Sequence, residues 1–320
     1  MKNSEEFLAI SKFQVAAFYC FTPLKDKAIV YLLNQLTNIA VEGQVKGSVL
    51  MATEGVNGTI CGTREGVSLF LEKLQEALFE KTLEVKVSWT ATQAFRRFKA
   101  RRKLEIVTMG ITGINPRKSV GVYVEPDDWN SYLSDPDTLV IDTRNEYEVG
   151  IGSFEGAVNP GTDTFREFPA WVDSNLHSLV EEQQPRRIAM FCTGGIRCEK
   201  ATSYLIQEGF QGVHHLRGGV LKYLEEVPQQ QSLWNGECFV FDQRVALNHN
   251  LLPGEHCMCH ACGMPLSLKE LQSSSYVRGV QCPHCEDRYT DQDRDRFAER
   301  QRQFDERSQQ DPENSARSSL

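Results

Sequence analysis

Cys192 stands in the string Met190-Phe191-Cys192-Thr193-Gly194-Gly195-Ile196-Arg197-Cys198-Glu199-Lys200, and these residue types at this spacing could do thiol chemistry. Ahead of it, Arg187-Ile188-Ala189-Met190-Phe191 reads as a short buried strand. After it, Glu199 to Glu208 has Ala201, Tyr204 and Leu205 at helical spacing. Cys192 is therefore expected at a strand end, in a tight glycine loop that runs into a helix N-terminus. Backbone N–H groups in such a loop point at whatever the cysteine carries. The helix dipole and Arg197 add positive potential. Both favour thiolate over thiol, and the thiolate is the nucleophile. Cys192 and Arg197 are the catalytic candidates: Arg197 and the amides of Thr193, Gly194, Gly195 and Ile196 would hold an anionic sulfur. Cys198 follows Arg197 directly; it either resolves a Cys192 persulfide or disulfide, or packs in the helix.

Four residues separate Cys192 from Arg197. This resembles the rhodanese active-site loop, which cradles a persulfide sulfur. Related cysteine phosphatases carry one more loop residue, because phosphate is larger, and usually a His before the Cys; here that position is Phe191. A sulfur-handling loop is the better reading.

Two other stretches carry chemistry. Cys259-His260-Ala261-Cys262 and Cys282-Pro283-His284-Cys285 are two CxxC pairs separated by 19 residues. That spacing matches a four-cysteine zinc ribbon, with Zn²⁺ in a structural role. Cys257, His256, His260 and His284 are possible substitutes or extra ligands. In Phe95-Arg96-Arg97-Phe98-Lys99-Ala100-Arg101-Arg102-Lys103-Leu104, six of ten residues are basic. Arg96, Arg97, Lys99, Arg101, Arg102 and Lys103 suit phosphates, with Phe95 and Phe98 available for stacking. The competing reading is a solvated connector whose two Phe pack on the core.

The elements that must position these groups follow from the pattern. The chain has 320 residues, 24% charged, with a formal net charge of −8. That is enough for two or three domains with a sizeable core, and no apolar run has the length of a membrane span. The absence of a signal-like apolar segment, together with thiol chemistry, predicts a cytoplasmic protein. Residues 1–12 read as a polar leader. Over 13–90 the order is strand, helix, strand, strand, helix, strand, which is the ferredoxin-like pattern. Within it, Asn57-Gly58 reads as the turn joining strands at 47–52 and 58–62. Residues 91–119 read as a basic linker. Residues 120–232 read as an α/β domain, with a buried strand ending in Asp142-Thr143-Arg144; Asp142 and Arg144 are expected to pair. Residues 233–290 form the cysteine-rich module, and 291–320 a charged tail, part helix and part disordered. The expected fold class is therefore a multidomain α/β and α+β protein.

The combination resembles the rhodanese-related tRNA uridine hydroxylase family. The resemblance rests on Glu54-Gly55-Val56-Asn57-Gly58-Thr59, the Cys192–Lys200 string, the C-terminal cysteine pairs, Phe165-Arg166-Glu167-Phe168-Pro169 and Glu237-Cys238-Phe239-Val240-Phe241-Asp242-Gln243-Arg244. It covers roughly residues 13 to 290. It implies an oxidoreductase that uses O2 to hydroxylate the wobble uridine of tRNA to 5-hydroxyuridine, with Cys192 matching the family's rhodanese nucleophile. No two-His-one-carboxylate iron motif, flavin fingerprint or nicotinamide fingerprint is seen. The expected mechanism is covalent: Cys192, as thiolate or persulfide, adds to the uracil ring. A plain sulfurtransferase carrying a Cys192 persulfide is the alternative. A scaffold with an inert rhodanese unit is disfavoured by the intact Cys192 and Arg197.

Overall fold

The computed structural model describes residues 12–78 and 83–310. The expected polar leader, apart from Lys12, and the expected disordered end of the tail lie outside the described residues. The chain divides into two compact units. One is built from residues up to 242 with 247–252, the other from 243–246 with the chain after 252.

The first unit begins with β1 (Phe13–Phe21), α1 (Asp26–Glu42), β2 (Lys46–Ala52), β3 (Gly55–Gly62), α2 (Arg64–Ala77) and β4 (Glu84–Thr90). The sheet order β4-β1-β3-β2 is ferredoxin-like. Alternate residues of β1, Ala16, Phe18 and Cys20, pack under Ile29, Leu36, Val67 and Phe70 from the two helices. Val15 and Tyr19, on the opposite face, are also buried. A strand covered on both faces reads as nearly continuous apolar sequence, as β1 does.

Asn57-Gly58 is not the hairpin turn. Thr53 and Glu54 make the turn, and Asn57 and Gly58 lie inside β3, opposite Leu50 and Val49. Two tertiary demands explain the pair. The Asn57 amide donates to the Ile106 carbonyl at 2.9 Å. A Cβ on Gly58 would sit 2.8 Å from the Phe18 ring. The stretch expected as a linker also contributes a strand, β5 (Phe98–Arg102), parallel to β2 at the sheet edge. Phe98 and Ala100 alternate with basic residues and pack on the core, which gives the segment a strand's two faces.

The second lobe of the same unit contains β6 (Val122–Val124), α3 (Pro126–Leu133), β7 (Thr138–Asp142), α4 (Glu146–Val149), β8 (Gly152–Phe154), α5 (Phe168–Trp171), α6 (His177–Gln183), β9 (Arg187–Phe191), α7 (Ile196–Gln207), β10 (Val213–Leu216) and α8 (Gly219–Glu226). Its main sheet is parallel, in the order β6-β10-β9-β7. Ile188 and Met190 face one core cluster, with Leu176, Ala201 and Leu205. Ala189 and Phe191 face the other, with Trp129, Val220 and Tyr223. Cys192 follows the carboxyl end of β9, where open α/β sheets place their sites.

The two lobes are clasped by one buried cation. Lys200, 2% exposed, pairs with Glu54 at 2.9 Å and Glu105 at 2.7 Å, and donates to the Val107 carbonyl at 3.0 Å. Glu54 also accepts from the Ile106 amide at 2.6 Å. Met109 and Ile114, further along, are buried in the core of the second lobe. In the second unit, Cys257–Met258 pairs with Pro265–Leu266, Ser267 and Glu270 form a capping box on a short helix, and a long charged helix spans Asp291–Gln310.

Lys200→Met keeps the chain length of the side chain but leaves Glu54 and Glu105 facing each other without a cation. Breaking such a buried pair costs about 3 kcal/mol. Urea unfolding should show a matching fall in midpoint for this first unit; a loss below about 0.5 kcal/mol would remove the clasp from the account of stability.

Candidate active site

The loop between β9 and α7 wraps the Cys192 sulfur, and Cys192 is fully buried. Gly195, at φ +94°, turns its amide onto Cys192 Sγ at 3.1 Å. A β-carbon there would come 3.1 Å from the Tyr19 hydroxyl. The turn before α8 braces the loop from outside. Val220 N–H donates to the Cys192 carbonyl at 2.9 Å, and Leu221 N–H to the Thr193 carbonyl at 3.0 Å. Gly219, at φ +68°, permits that approach, since a Cβ would lie 2.4 Å from the Cys192 carbonyl oxygen. Gly194 is the open part of the loop: it is half-buried, and a Cβ on it would meet nothing within 4 Å.

Burial works against charge on Cys192. A hydrogen bond from the Cys198 side chain, the Arg197 guanidinium, and the backbone N–H groups of Cys198 and Arg197 outweigh it and bring the thiol down to about 5. Cys198 shifts the other way: burial and its bond to the Cys192 sulfur keep it a thiol. Its sulfur also lies 3.5 Å from Thr143 Oγ1. The surroundings thus favour the anion on Cys192 and the thiol on Cys198.

Arg197 is placed differently from the expectation that it grips the sulfur. Its two terminal nitrogens bond Glu148 at 2.6 and 2.7 Å, and one also reaches Thr193 Oγ1 at 3.3 Å. Thr193 in turn donates to Glu148 at 3.0 Å. Burial opposes the Glu148 charge, but Arg197 holds its carboxyl below the usual range. The guanidinium is fixed by Glu148 and acts on Cys192 through its field. Asp142 and Arg144 pair with each other, fully buried, at 2.6 Å.

Sequence reasoning brought Cys192, Thr193, Gly194, Gly195, Ile196, Arg197 and Cys198 into one loop; here the loop ends at Gly195, and Ile196, Arg197 and Cys198 are already the first turn of α7. It missed three groups around that loop, Tyr19, Tyr123 and Lys86, all on strands. Tyr19 donates to Glu199 at 3.0 Å, and Tyr123 donates to both Glu199 oxygens at 2.9 and 2.8 Å. Lys86 Nζ lies over the Tyr19 ring, 4.5 Å from its centroid. Only the polar residues inside otherwise apolar strands could have hinted at them.

The basic stretch lies on β5 and its flanks. Arg96, Arg97, Arg101, Arg102 and Lys103 are exposed and Lys99 is half-buried; Arg102 pairs with Asp26 at 2.6 Å. Phe95 and Phe98 are half-buried and pack against buried clusters, as the competing reading of the stretch had it. In the second unit the sulfurs of Cys259, Cys262, Cys282 and Cys285 lie within 4.8 Å of one another. Contacts of 3.7 Å (Cys262–Cys282) and 3.6 Å (Cys282–Cys285) fit four sulfurs around one ion. Among the described residues Cys257, His256, His260 and His284 stay out of that group, and His284 bonds Glu270.

Residues 13–106 match the family model of the UPF0176 acylphosphatase like domain, and residues 125–226 that of the Rhodanese-like domain. The chain is 61% identical to a tRNA uridine(34) hydroxylase of Prochlorococcus marinus (strain MIT 9313), over 96% of this chain and 99% of that protein. It is 62% identical to a protein of the same name from Parasynechococcus marenigrum (strain WH8102), over 93% of this chain and 95% of the relative. A third, from Prochlorococcus marinus (strain NATL1A), is 59% identical over 98% of each chain.

Thiolate absorbance near 240 nm, taken as the difference between the native protein and Cys192→Ser, should rise as pH passes up through about 5 and be flat at pH 7. A rise only above pH 8 would mean that the loop does not activate Cys192.

Proposed function

The chain belongs to the tRNA uridine(34) hydroxylase family, and on that premise we propose that it hydroxylates the wobble uridine of tRNA to 5-hydroxyuridine, with O2 as co-substrate and Cys192 as covalent catalyst. The observation that carries the mechanism is the buried Cys192 sulfur, bonded by the Gly195 amide and placed so that Arg197 favours its anion. The sulfur adds to C6 of the uracil ring and makes C5 electron-rich, the carbon that is oxidised. Cys198 keeps its proton and steadies the anion. A base buried in an anticodon stack cannot reach a fully buried sulfur, so the nucleotide is flipped toward the open volume beside Gly194.

Arg96, Arg97, Lys99, Arg101, Arg102 and Lys103 contact tRNA phosphates from the sheet edge, as positioning contacts that carry no sequence information. Cys259, Cys262, Cys282 and Cys285 hold a structural Zn²⁺: tetrahedral sulfurs at Zn–S bonds of about 2.3 Å lie about 3.8 Å apart, close to the spacings found. Zinc has no redox chemistry and takes no part in the oxidation. No helix among the described residues is long and apolar enough to cross a membrane, and a tRNA substrate puts the reaction in the cytoplasm.

Nucleoside mass spectrometry of tRNA from cells with the native gene, a deletion and Cys192→Ser tests the reading. Loss of 5-hydroxyuridine and its derivatives in both altered strains is expected. Normal 5-hydroxyuridine in Cys192→Ser would sink the covalent role. Loss of a thiolated nucleoside in its place would make the protein a sulfurtransferase. Metal analysis of the purified chain should give one zinc per chain, lost in Cys282→Ala; a zinc-free protein with an intact second unit would rule out the structural metal.

A further inference from the structure

Lys86 has no evident reason to be where it is. It lies in β4, opposite Ala17 of β1, and so on the face of the first sheet turned away from α1 and α2. It is 6% exposed, and Nζ makes no hydrogen bond. Its contact is the Tyr19 ring, 4.5 Å to the centroid, and the hydroxyl of that same tyrosine bears on the Cys192 loop at Gly195. A buried ammonium without a hydrogen-bond acceptor is a cost that methionine at the same place would avoid. Unsatisfied charge of this kind, resting on the ring whose hydroxyl touches the active-site loop, marks a group open to a ligand.

We propose that Lys86 is the catalytic residue supplied by the first lobe, and that its ammonium binds the O4 oxygen of the uracil ring. The inference rests on the hydroxylase reading above. When Cys192 Sγ bonds to C6, the C5–C6 π pair moves through C5 and C4 onto O4, and the negative charge of the thiolate is carried to that oxygen. Lys86 donates a hydrogen bond to O4 and compensates the charge there. No oxidant is needed for this step. Tyr19 acts through Lys86 and the loop: its ring carries the ammonium, and its hydroxyl is anchored on Glu199.

Burial lowers the Lys86 ammonium to about 8. Glu84 on its own strand, and Cys192 and Glu199 on the loop and α7, pull the other way, while Lys222 of α8 adds to the fall; Glu225 of α8 also faces it. The charged form is therefore present at neutral pH and is lost as pH rises through about 8.

The test is single-turnover 5-hydroxyuridine formation on tRNA by the full chain, with native protein, Lys86→Met and Lys86→Arg, alongside melting temperature and tRNA affinity. Loss of one preorganised donor to a developing oxyanion costs about 100-fold in rate. Lys86→Met is expected to lose that much while melting and tRNA affinity hold. Lys86→Arg is expected to recover part of the rate, without the fall in activity near pH 8 that the native protein shows. Lys86→Met within two-fold of native, or a rate loss no larger than the loss of folded protein, overturns the assignment while the hydroxylase reading stands. Native protein that makes no 5-hydroxyuridine overturns the reading and the assignment together.

Discussion

A single buried ammonium, Lys200, holds the geometry on which the site depends. It stands on α7, eight residues after Cys192, and its partners Glu54 and Glu105 belong to the first sheet's hairpin and to the strap that leaves it. The helix that carries the reactive loop is thereby tied to the lobe that carries Tyr19 and Lys86. Two acidic partners and a backbone carbonyl satisfy the cation, which is the condition under which a buried charge is tolerated. With that register fixed, the Tyr19 hydroxyl meets Glu199 and Gly195, and Lys86 lies over the ring of the same tyrosine.

The electrostatics of the loop follow the same logic of fixed charges. Arg197 is immobilised by two hydrogen bonds to Glu148, and Glu148 is immobilised by Arg197 and Thr193. A guanidinium that cannot swing away keeps its field on Cys192 at no reorganisation cost when the sulfur reacts. Arg144 and Asp142, one layer deeper, pair with each other, and Arg144 stacks 4.9 Å from the Trp234 ring centroid. Among the described residues, the buried cations Arg144, Arg197 and Lys200 each have a carboxylate, whereas Lys86 has the Tyr19 ring.

Much of this was legible from local pattern. The Cys192–Arg197 spacing, the strand before it and the helix after it are all encoded within a dozen residues, and so is each CxxC pair. The ferredoxin-like order followed from alternation and helical spacing. What failed depends on contacts between residues far apart in the chain. Asn57-Gly58 has the chemistry of a turn, yet it is a strand segment, because Asn57 answers Ile106 and Gly58 makes room for Phe18. The basic stretch looks like a solvated linker until β2 is available to pair with it. Lys86 sits in a strand whose valines suggest the inward face, but Val85 is exposed and Lys86 buried, since β4 turns its second face to the other lobe. The Tyr19–Glu199 bond spans 180 residues, and no window of sequence contains both ends.

The strap after β5 has a consequence for motion. Ile106 is fully buried, and Met109 and Ile114 are part of the second lobe's core, so the segment between the lobes is folded into both of them. A hinge needs a few residues free to change their dihedral angles, and Ile106, Met109 and Ile114 pin this segment at three places, although Leu104 and Ile111 stay exposed. Clam-like opening of the two lobes would cost the burial of those side chains together with the Lys200 clasp. The approach to the sulfur is then left to the loop itself, at Gly194, where a Cβ would meet nothing within 4 Å.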